Sequence, residues 1–483
     1  MTSLTRRGFL ASGAIAAAVG GSTRAGPAAA VAEANRAERG VSSGAYLHAA
    51  QQTARWIRSA TLQKPQGTAW LPDPDHPEKL TTVGPDNSIY SGSAGTVLFF
   101  LELAQVTGDE SYLQDARRGA DYLAATWDRN ETVGFAGPFS FDGGLPGAAF
   151  SLTEVWKTTG DQAYGDAVRA ATRSVVSAAR RSGSGVEWSG TPGSAGDGGT
   201  ILFLLYAAHA LGDKSLLALA KRAGDRILEQ GQVDSRGGLR WQGIKWPQGK
   251  TPPGVPQDAW FPNFELGTAG VGYVLARLYE ETHRAEFLTG ARAAAIHIQN
   301  IATVSGDAAL VHYREPDLTD LYYLGYCHGP AGTARLFYQL HKVTGEAQYL
   351  EWTENLARGV LRSGIPEKLT AGFWNVACQC CGSAAVVDFF LSLWTVTGKA
   401  EYRDFALRVS DQLVSRATDL DGKGYRWYQA WTRVKPWEVN AETGYKIGAS
   451  GIGAALIHAE LAARNRYRAL LFPDNPFPRG QSI

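Results

Sequence analysis

Cysteine and methionine are scarce in this chain: four cysteines and a single methionine among 483 residues. That excludes a secreted scaffold stapled by a dense disulfide framework. An excess of either charge is missing too. Forty-seven lysines and arginines against forty-six aspartates and glutamates leave a formal net charge of +1, with no block of one sign. Nucleic acid and anionic membrane surfaces are therefore poor candidates for the main partner. No run approaches the roughly eighteen apolar residues a spanning helix needs, so the mature chain is expected to be soluble. Strand-type alternation is sparse, apart from a short hairpin signal around Gly238-Leu239-Arg240-Trp241-Gln242. What remains is rich in apolar residues, at 44%, and in glycine, with 56 of them. A large, mostly helical core fits that composition.

The N-terminus stands apart from any fold. Thr5-Arg6-Arg7-Gly8-Phe9-Leu10 precedes an uncharged Ala/Gly-rich run from Ala11 to Ser22, and small residues continue through Ala25-Gly26-Pro27-Ala28-Ala29-Ala30. An arginine pair, a short weak hydrophobic run and small residues read as a twin-arginine export signal. Residues 1–39 are therefore assigned to the signal and a flexible N-terminus, and 45–470 to a single folded domain. The twin-arginine route carries proteins already folded, so a thiolate-bound metal can be loaded before export.

The folded part is organised by an internal repeat. A Gly-x-x-Gly element opens an apolar stretch of about a dozen residues, a Thr-Gly-Asp-like turn closes it, and a second helix follows. The copies begin at Gly92-Ser93-Ala94-Gly95, Gly144-Leu145-Pro146-Gly147, Gly193-Ser194-Ala195-Gly196, Gly267-Thr268-Ala269-Gly270, Gly329-Pro330-Ala331-Gly332, Gly382-Ser383-Ala384-Ala385 and Gly448-Ala449-Ser450-Gly451. Turns follow at Thr107-Gly108-Asp109, Thr159-Gly160-Asp161, Gly212-Asp213, the degenerate Thr282-His283-Arg284, Thr344-Gly345-Glu346 and Thr397-Gly398-Lys399. One helical hairpin cannot bury its own apolar face, so such units stack, and a ring leaves no raw ends. The expected fold is all-α: an α/α toroid of about seven helical hairpins, with the loops before each Gly-x-x-Gly gathered on one rim.

Three of the four cysteines crowd into Cys378-Gln379-Cys380-Cys381, and the fourth, Cys327, lies two residues before the fifth Gly-x-x-Gly. Cys381 directly precedes the sixth. The repeat register thus brings Cys327 and the Cys380–Cys381 pair to neighbouring helix entrances, with Cys378 as a spare. Three thiolates there would suit zinc and leave its fourth tetrahedral position open for water or substrate. A buried inert cluster, a disulfide from Cys327, and a closed site using all four cysteines remain alternatives. Adjacent cysteines pair with one another only in strained geometry.

The seven repeats, Tyr326-Cys327-His328-Gly329-Pro330-Ala331-Gly332 and Cys380-Cys381-Gly382 together resemble the lanthionine synthetase C-like (LanC-like) family, over about residues 51–465. In that family the motifs read Trp-Cys-x-Gly-x-x-Gly and Cys-His-Gly, and their Cys, Cys and His hold zinc inside an α-toroid. Cys-Cys-Gly resembles a variant with three cysteine ligands. The resemblance implies Cys327, Cys380 and Cys381 as metal ligands, Zn2+ as cofactor, and a peptide or small thiol as substrate. It implies zinc-activated addition of a thiol to dehydroalanine or dehydrobutyrine, with protonation of the resulting enolate. His328, beside Cys327, is then a candidate catalytic proton donor.

The chain also departs from the family. Its cyclases carry histidine directly before the glycine of a middle repeat; here Leu266 precedes Gly267, with Glu265 one step earlier. They carry an acidic residue shortly before an earlier repeat. The matching stretch reads Trp188-Ser189-Gly190-Thr191-Pro192, after Glu187, and Asp142 and Asp197 read as helix caps. Trp427, Tyr428, Trp431 and Trp437 cluster before the seventh repeat, as loop packing or as a platform for a peptide or sugar. Two further readings stay open: a glycan-active α/α-barrel hydrolase, with Glu265 as its carboxylate, and a non-catalytic zinc-containing binding module.

Overall fold

A computed structural model describes residues 44–80, 86–129, 137–244, 251, 255–316, 320–430, 432–478 and 480. The export signal read at residues 1–39, and Trp431, lie outside them. The seven repeats fold as inner helices: α2 (Ser93–Thr107), α4 (Leu145–Thr159), α6 (Asp197–Leu211), α8 (Thr268–Thr282), α10 (Pro330–Thr344), α12 (Ser383–Thr397) and α14 (Ala449–Ala463). Each packs against the next, and α14 packs back on α2, so the inner layer closes into a ring. They are buried nearly all round, as Val97, Leu98, Phe99, Phe100 and Leu101 of α2 illustrate, which is how a helix with no polar face resides in a core.

The outer layer consists of α3 (Glu110–Thr126), α5 (Gln162–Ser177), α7 (Ser215–Glu229), α9 (Ala285–Ile301), α11 (Ala347–Arg362) and α13 (Ala400–Ser415). These are amphipathic, burying one stripe each. The last inner helix has no outer partner after it in sequence. That place belongs to α1 (Ala45–Ser59) from the other end of the chain. Tyr46 of α1 donates its hydroxyl to Asp411 of α13 at 2.6 Å, Leu47 N–H meets Glu460 of α14 at 3.3 Å, and Arg58 reaches Asp115 of α3 at 2.7 Å. The seventh hairpin is thus assembled from the two ends of the fold.

The turn chemistry explains why each pair reverses sharply. Gly108, Gly160, Gly212, Gly345 and Gly398 cap inner helices in the left-handed region, with φ between 67° and 73°, the conformation a Cβ disfavours. In the fourth repeat His283 accepts it, at φ 55°. Asp109 and Asp161 then cap the outer helices, accepting from Ser111 and Ala163 N–H at 2.9 and 3.0 Å.

Among the described residues six two-stranded pairs decorate the rims, more than the sequence signals. The anticipated hairpin pairs Gln232–Val233 with Leu239–Arg240. Its Trp241 donates an indole N–H to the Ile227 carbonyl at the end of α7, at 2.7 Å. Trp188 and Trp427 do the same for Val175 and Leu413, each at 2.8 Å. Trp427 therefore packs as a helix-end cap rather than as part of a binding platform, whereas Trp437 is 72% exposed. Beyond residue 470 the chain passes under the ring: Phe472 packs on Tyr445, Phe477 stacks on Tyr338, and Asp474 is buried against Arg335. Among the described residues no helix is long and apolar enough to cross a membrane.

Candidate metal centre

The loop before each inner helix is drawn tight by the first helical N–H, which reaches back to a carbonyl upstream: Ser93 to Asp86 at 2.8 Å, Ser383 to Val376 at 2.8 Å, Ala449 to Glu442 at 2.7 Å. Backbone packing is so close there that a Cβ on Gly332 would lie 1.9 Å from the Tyr326 carbonyl oxygen, and one on Gly451 1.8 Å from that of Tyr445. The loops are also bonded to one another around the ring. Ala195 N–H donates to Glu265 O, Glu265 to Cys327, Cys327 to Cys380, Cys380 to Lys446, Lys446 to Tyr90 and Tyr90 to Asp142, all at 2.7 to 3.0 Å. Tyr90, Asp142, Ala195, Glu265, Cys327, Cys380 and Lys446 thus occupy one equivalent position in seven units.

This register corrects the third repeat. Gly196, not Gly193, is the residue preceding α6, so the element in phase is Gly196-Asp197-Gly198-Gly199, after a loop one residue shorter. Asp197 holds that loop rather than capping the helix: its carboxylate accepts from Ser189 N–H at 2.7 Å and Gly190 N–H at 3.0 Å. Glu187 faces elsewhere, paired with Arg226 at 3.0 Å. Asp142 is no cap either, since α4 is capped by Gly144 without a side-chain bond. It is buried against Lys446, 3.5 Å away. Burial first, opposed by Lys446, pushes its carboxyl up to about 6.

The sulfurs of Cys327, Cys380 and Cys381 lie within 4.8 Å of one another, the first and last 3.3 Å apart and the adjacent pair 3.5 Å. A disulfide requires about 2.05 Å, so the Cys327 disulfide is not formed. Tetrahedral zinc with Zn–S bonds of about 2.3 Å spaces its sulfurs by about 3.8 Å, and small side-chain movements would meet that spacing. Three soft thiolate donors on two rigid helix entrances fit a zinc-type ion. Cys378 is outside the cluster, its sulfur accepting from Cys381 N–H at 3.5 Å.

Charge in the cluster is shared. Cys380 is held well below the usual thiol range by hydrogen bonds from Cys327 and Cys381, with Tyr90 adding a third at 3.5 Å. Burial pushes Cys327 up, and the bond to Cys327 pushes Cys381 up. Glu265, named on sequence as the carboxylate of the hydrolase reading, stands with an oxygen 3.6 Å from the Cys380 sulfur. Burial, then the Cys380 charge, raises its carboxyl well above the ordinary range. The seven-fold register explains the placement, because Glu265 occupies the position of Cys327 in the preceding unit.

His328 takes the position next to its cysteine, as Cys381 does in the following unit. Its ring is enclosed by Phe261, Tyr313 and Tyr323, with centroids 5.0, 4.7 and 5.6 Å away. Burial lowers its pKa to about 4, so the imidazole is neutral near pH 7, and its Nδ1 has no hydrogen-bond partner. Above the sulfurs an open cleft is walled by Leu266, Tyr313, Tyr323 and Trp374, and by Thr432, Arg433 and Glu442 of the loop before α14. The predicted ligands, His328 and Glu265 therefore share one cleft, while Asp142 and Lys446 do not line it.

A family model described as lanthionine synthetase C-like protein matches residues 85–142 and 137–375. No curated protein matches the chain. Among solved structures, nisin cyclase is similar with a TM-score of 0.59 at 14% identity, covering 86% of this chain and 93% of that one. The GH76A alpha-1,6-mannanase of Salegentibacter sp. HEL1_6 scores 0.45 at 13% identity, over 86% and 99% of the two chains. An unsaturated glucuronyl hydrolase specific for heparin scores 0.47 at 12%, over 87% and 98%. The first likeness shows the toroid fold.

Proposed function

Because the chain belongs to the lanthionine synthetase C-like family, we propose that it binds zinc through Cys327, Cys380 and Cys381 and adds a thiol to a dehydroamino acid in a peptide, forming a thioether. The observation that carries this reading is the convergence of three sulfurs within 4.8 Å at the floor of an open cleft. Bound there, zinc would lower the pKa of a substrate thiol into the neutral range. The rest falls to the protein. Phe261, Tyr313 and Tyr323 exclude water around His328. Neutral His328 takes the proton released by the incoming thiol and returns it to the substrate α-carbon after the sulfur has bonded to the β-carbon. Glu265, in the same cleft, is the second group able to hold that proton. Leu266 leaves an apolar surface where the family's cyclases carry histidine.

The test is incubation of the zinc-loaded protein with a dehydrated, cysteine-containing peptide, followed by thiol alkylation and mass analysis. Loss of alkylatable thiol at unchanged peptide mass is the expected result. Full alkylation at the rate of a metal-free control would sink the reading.

Glu265 also favours a second reading, a glycan-active hydrolase using that carboxylate beside the metal, with a binding module as the non-catalytic outcome. Release of reducing sugar from a glycan panel, abolished by Glu265→Gln, would select the hydrolase.

The proposed site of action is outside the cytoplasm, supported by the Arg6-Arg7 pair and the small-residue stretch after it. Fractionation of cells expressing the Arg6→Lys, Arg7→Lys double variant should show the protein retained in the cytoplasm. Unchanged export would overturn the twin-arginine assignment.

A further inference from the structure

The loop that enters the cleft just before α14 presents a cation with no ion-pair partner among the described residues. Arg433 is half-buried and lines the cleft, yet it makes no hydrogen bond or ion pair among the described residues. Two other polar side chains of the wall are committed: Glu442 accepts from Asn440 at 2.7 Å, and Gln429 donates to the Ile447 carbonyl at 2.5 Å. Beside Arg433, the Thr432 hydroxyl is also buried without a partner among the described residues. A guanidinium partly withdrawn from water loses hydration that only an anion restores well.

Tyr313 and Tyr323 line the same cleft and stack with ring centroids 4.4 Å apart. Both lie within electrostatic range of the Cys327 and Cys381 sulfurs and of Arg433. Sulfur cluster, aromatic pair and guanidinium thus line one cleft, so a molecule whose sulfur is directed at the cluster has a second group available for Arg433.

We propose that Arg433 is a specificity determinant that binds a carboxylate of the thiol substrate, so that the site prefers thiols carrying a nearby carboxylate over neutral ones. The inference rests on the thiol-binding reading above. A guanidinium fork pairs with a carboxylate through two parallel N–H···O bonds, a geometry a neutral amide cannot reproduce. The carboxylate has two possible sources: the α-carboxylate of a C-terminal or free cysteine, and an acidic side chain next to an internal one.

Both are separable by binding, without turnover. Cobalt-substituted protein would be titrated with N-acetylcysteine, N-acetylcysteine amide and acetyl-aspartyl-cysteine amide, reading the sulfur-to-cobalt charge-transfer band. Wild type is expected to prefer at least one carboxylate-bearing probe over N-acetylcysteine amide by about tenfold, the size of a charge-assisted hydrogen bond. Which probe wins identifies the source. In Arg433→Gln the preference should fall towards unity, and Arg433→Lys should retain part of it. Equal binding of all three probes by wild type, or an unchanged preference in Arg433→Gln, overturns this inference and leaves the thiol reading standing. Absence of the band with every probe overturns both. Circular dichroism and melting of both variants confirm that they are folded.

Discussion

The backbone N–H of Cys327 donates to the carbonyl of Cys380 at 2.9 Å, across fifty-three residues of sequence. This bond is one link in a run that passes from Ala195 through Lys446 and Tyr90 to Asp142. It places two cysteines of the cluster at equivalent points of adjacent units, and the chain adds Cys381 as the next residue. The sulfur cluster is thus a local decoration of a symmetric backbone ring, and rigid backbone on both sides preorganises the sulfurs.

Zinc retention should separate the cysteines. Cys327→Ala, Cys380→Ala and Cys381→Ala are each expected to lower zinc from about one per chain to a small fraction, because two thiolates hold the ion far less tightly than three. Cys378→Ala should keep it, since that sulfur lies outside the cluster. Elemental analysis of the four purified variants checks this. Loss in Cys378→Ala equal to that in the others would contradict the assignment.

The glycines of the ring and of the turns should respond differently to a methyl group. Gly332→Ala puts a Cβ 1.9 Å from a backbone oxygen, and the loop cannot yield without breaking ring bonds, so a loss of about 3 kcal/mol is expected. Gly160→Ala meets nothing within 4 Å but sits at φ 71°, which should cost about 1 kcal/mol. Denaturant midpoints at constant slope would rank the two.

The segment under the ring should be indispensable through Asp474. Its carboxylate pairs with the partly buried Arg335 at 2.8 Å and lies 3.9 Å from Lys446, which is buried like Asp474 itself. Burial alone would raise its pKa, but Arg335 and Lys446 lower it. Asp474→Asn leaves two cations short of a counter-charge and is expected to cost roughly 3 kcal/mol, read as a fall in melting temperature. A variant melting with wild type would refute that role.

Alkaline pH should loosen the inner ring at His458. Burial opposes its charge, but Asp388 at 2.7 Å and Glu102 at 3.1 Å raise its pKa from 6.5 to about 10. A folded pKa above the unfolded one means the stabilisation is complete below about pH 6.5 and is lost as pH rises towards about 10. Melting temperature should fall across that window. The gap between wild type and His458→Gln should narrow with it, and a constant gap would exclude the linkage.

Much of this architecture was legible in the residues. Gly-x-x-Gly and Thr-Gly-Asp are local signals, because a close backbone approach and a left-handed cap each demand glycine whatever lies around them. They located six inner helices in phase, and the third three residues early, where the Gly-rich stretch from Gly193 to Gly199 offers two frames. Asp197, binding back to its own loop, selects between them. Tyr90 was missed as a site residue, and Glu265 was read only as the carboxylate of a hydrolase, because neither belongs to a motif; the run of backbone bonds shows that they share a position with Cys327 and Cys380.

Sequence alone determined the paired-helix repeat, the three-cysteine cluster and the absence of a histidine before Gly267, all of which depend on residue identity and short spacing. Tertiary structure decided that α1 completes the hairpin of α14, that Asp142 pairs with Lys446, and that Arg433 lines the same cleft as the sulfurs and the stacked Tyr313 and Tyr323. Those depend on where a closed ring brings distant loops, and ring closure is a property of all seven units packed together rather than of any one.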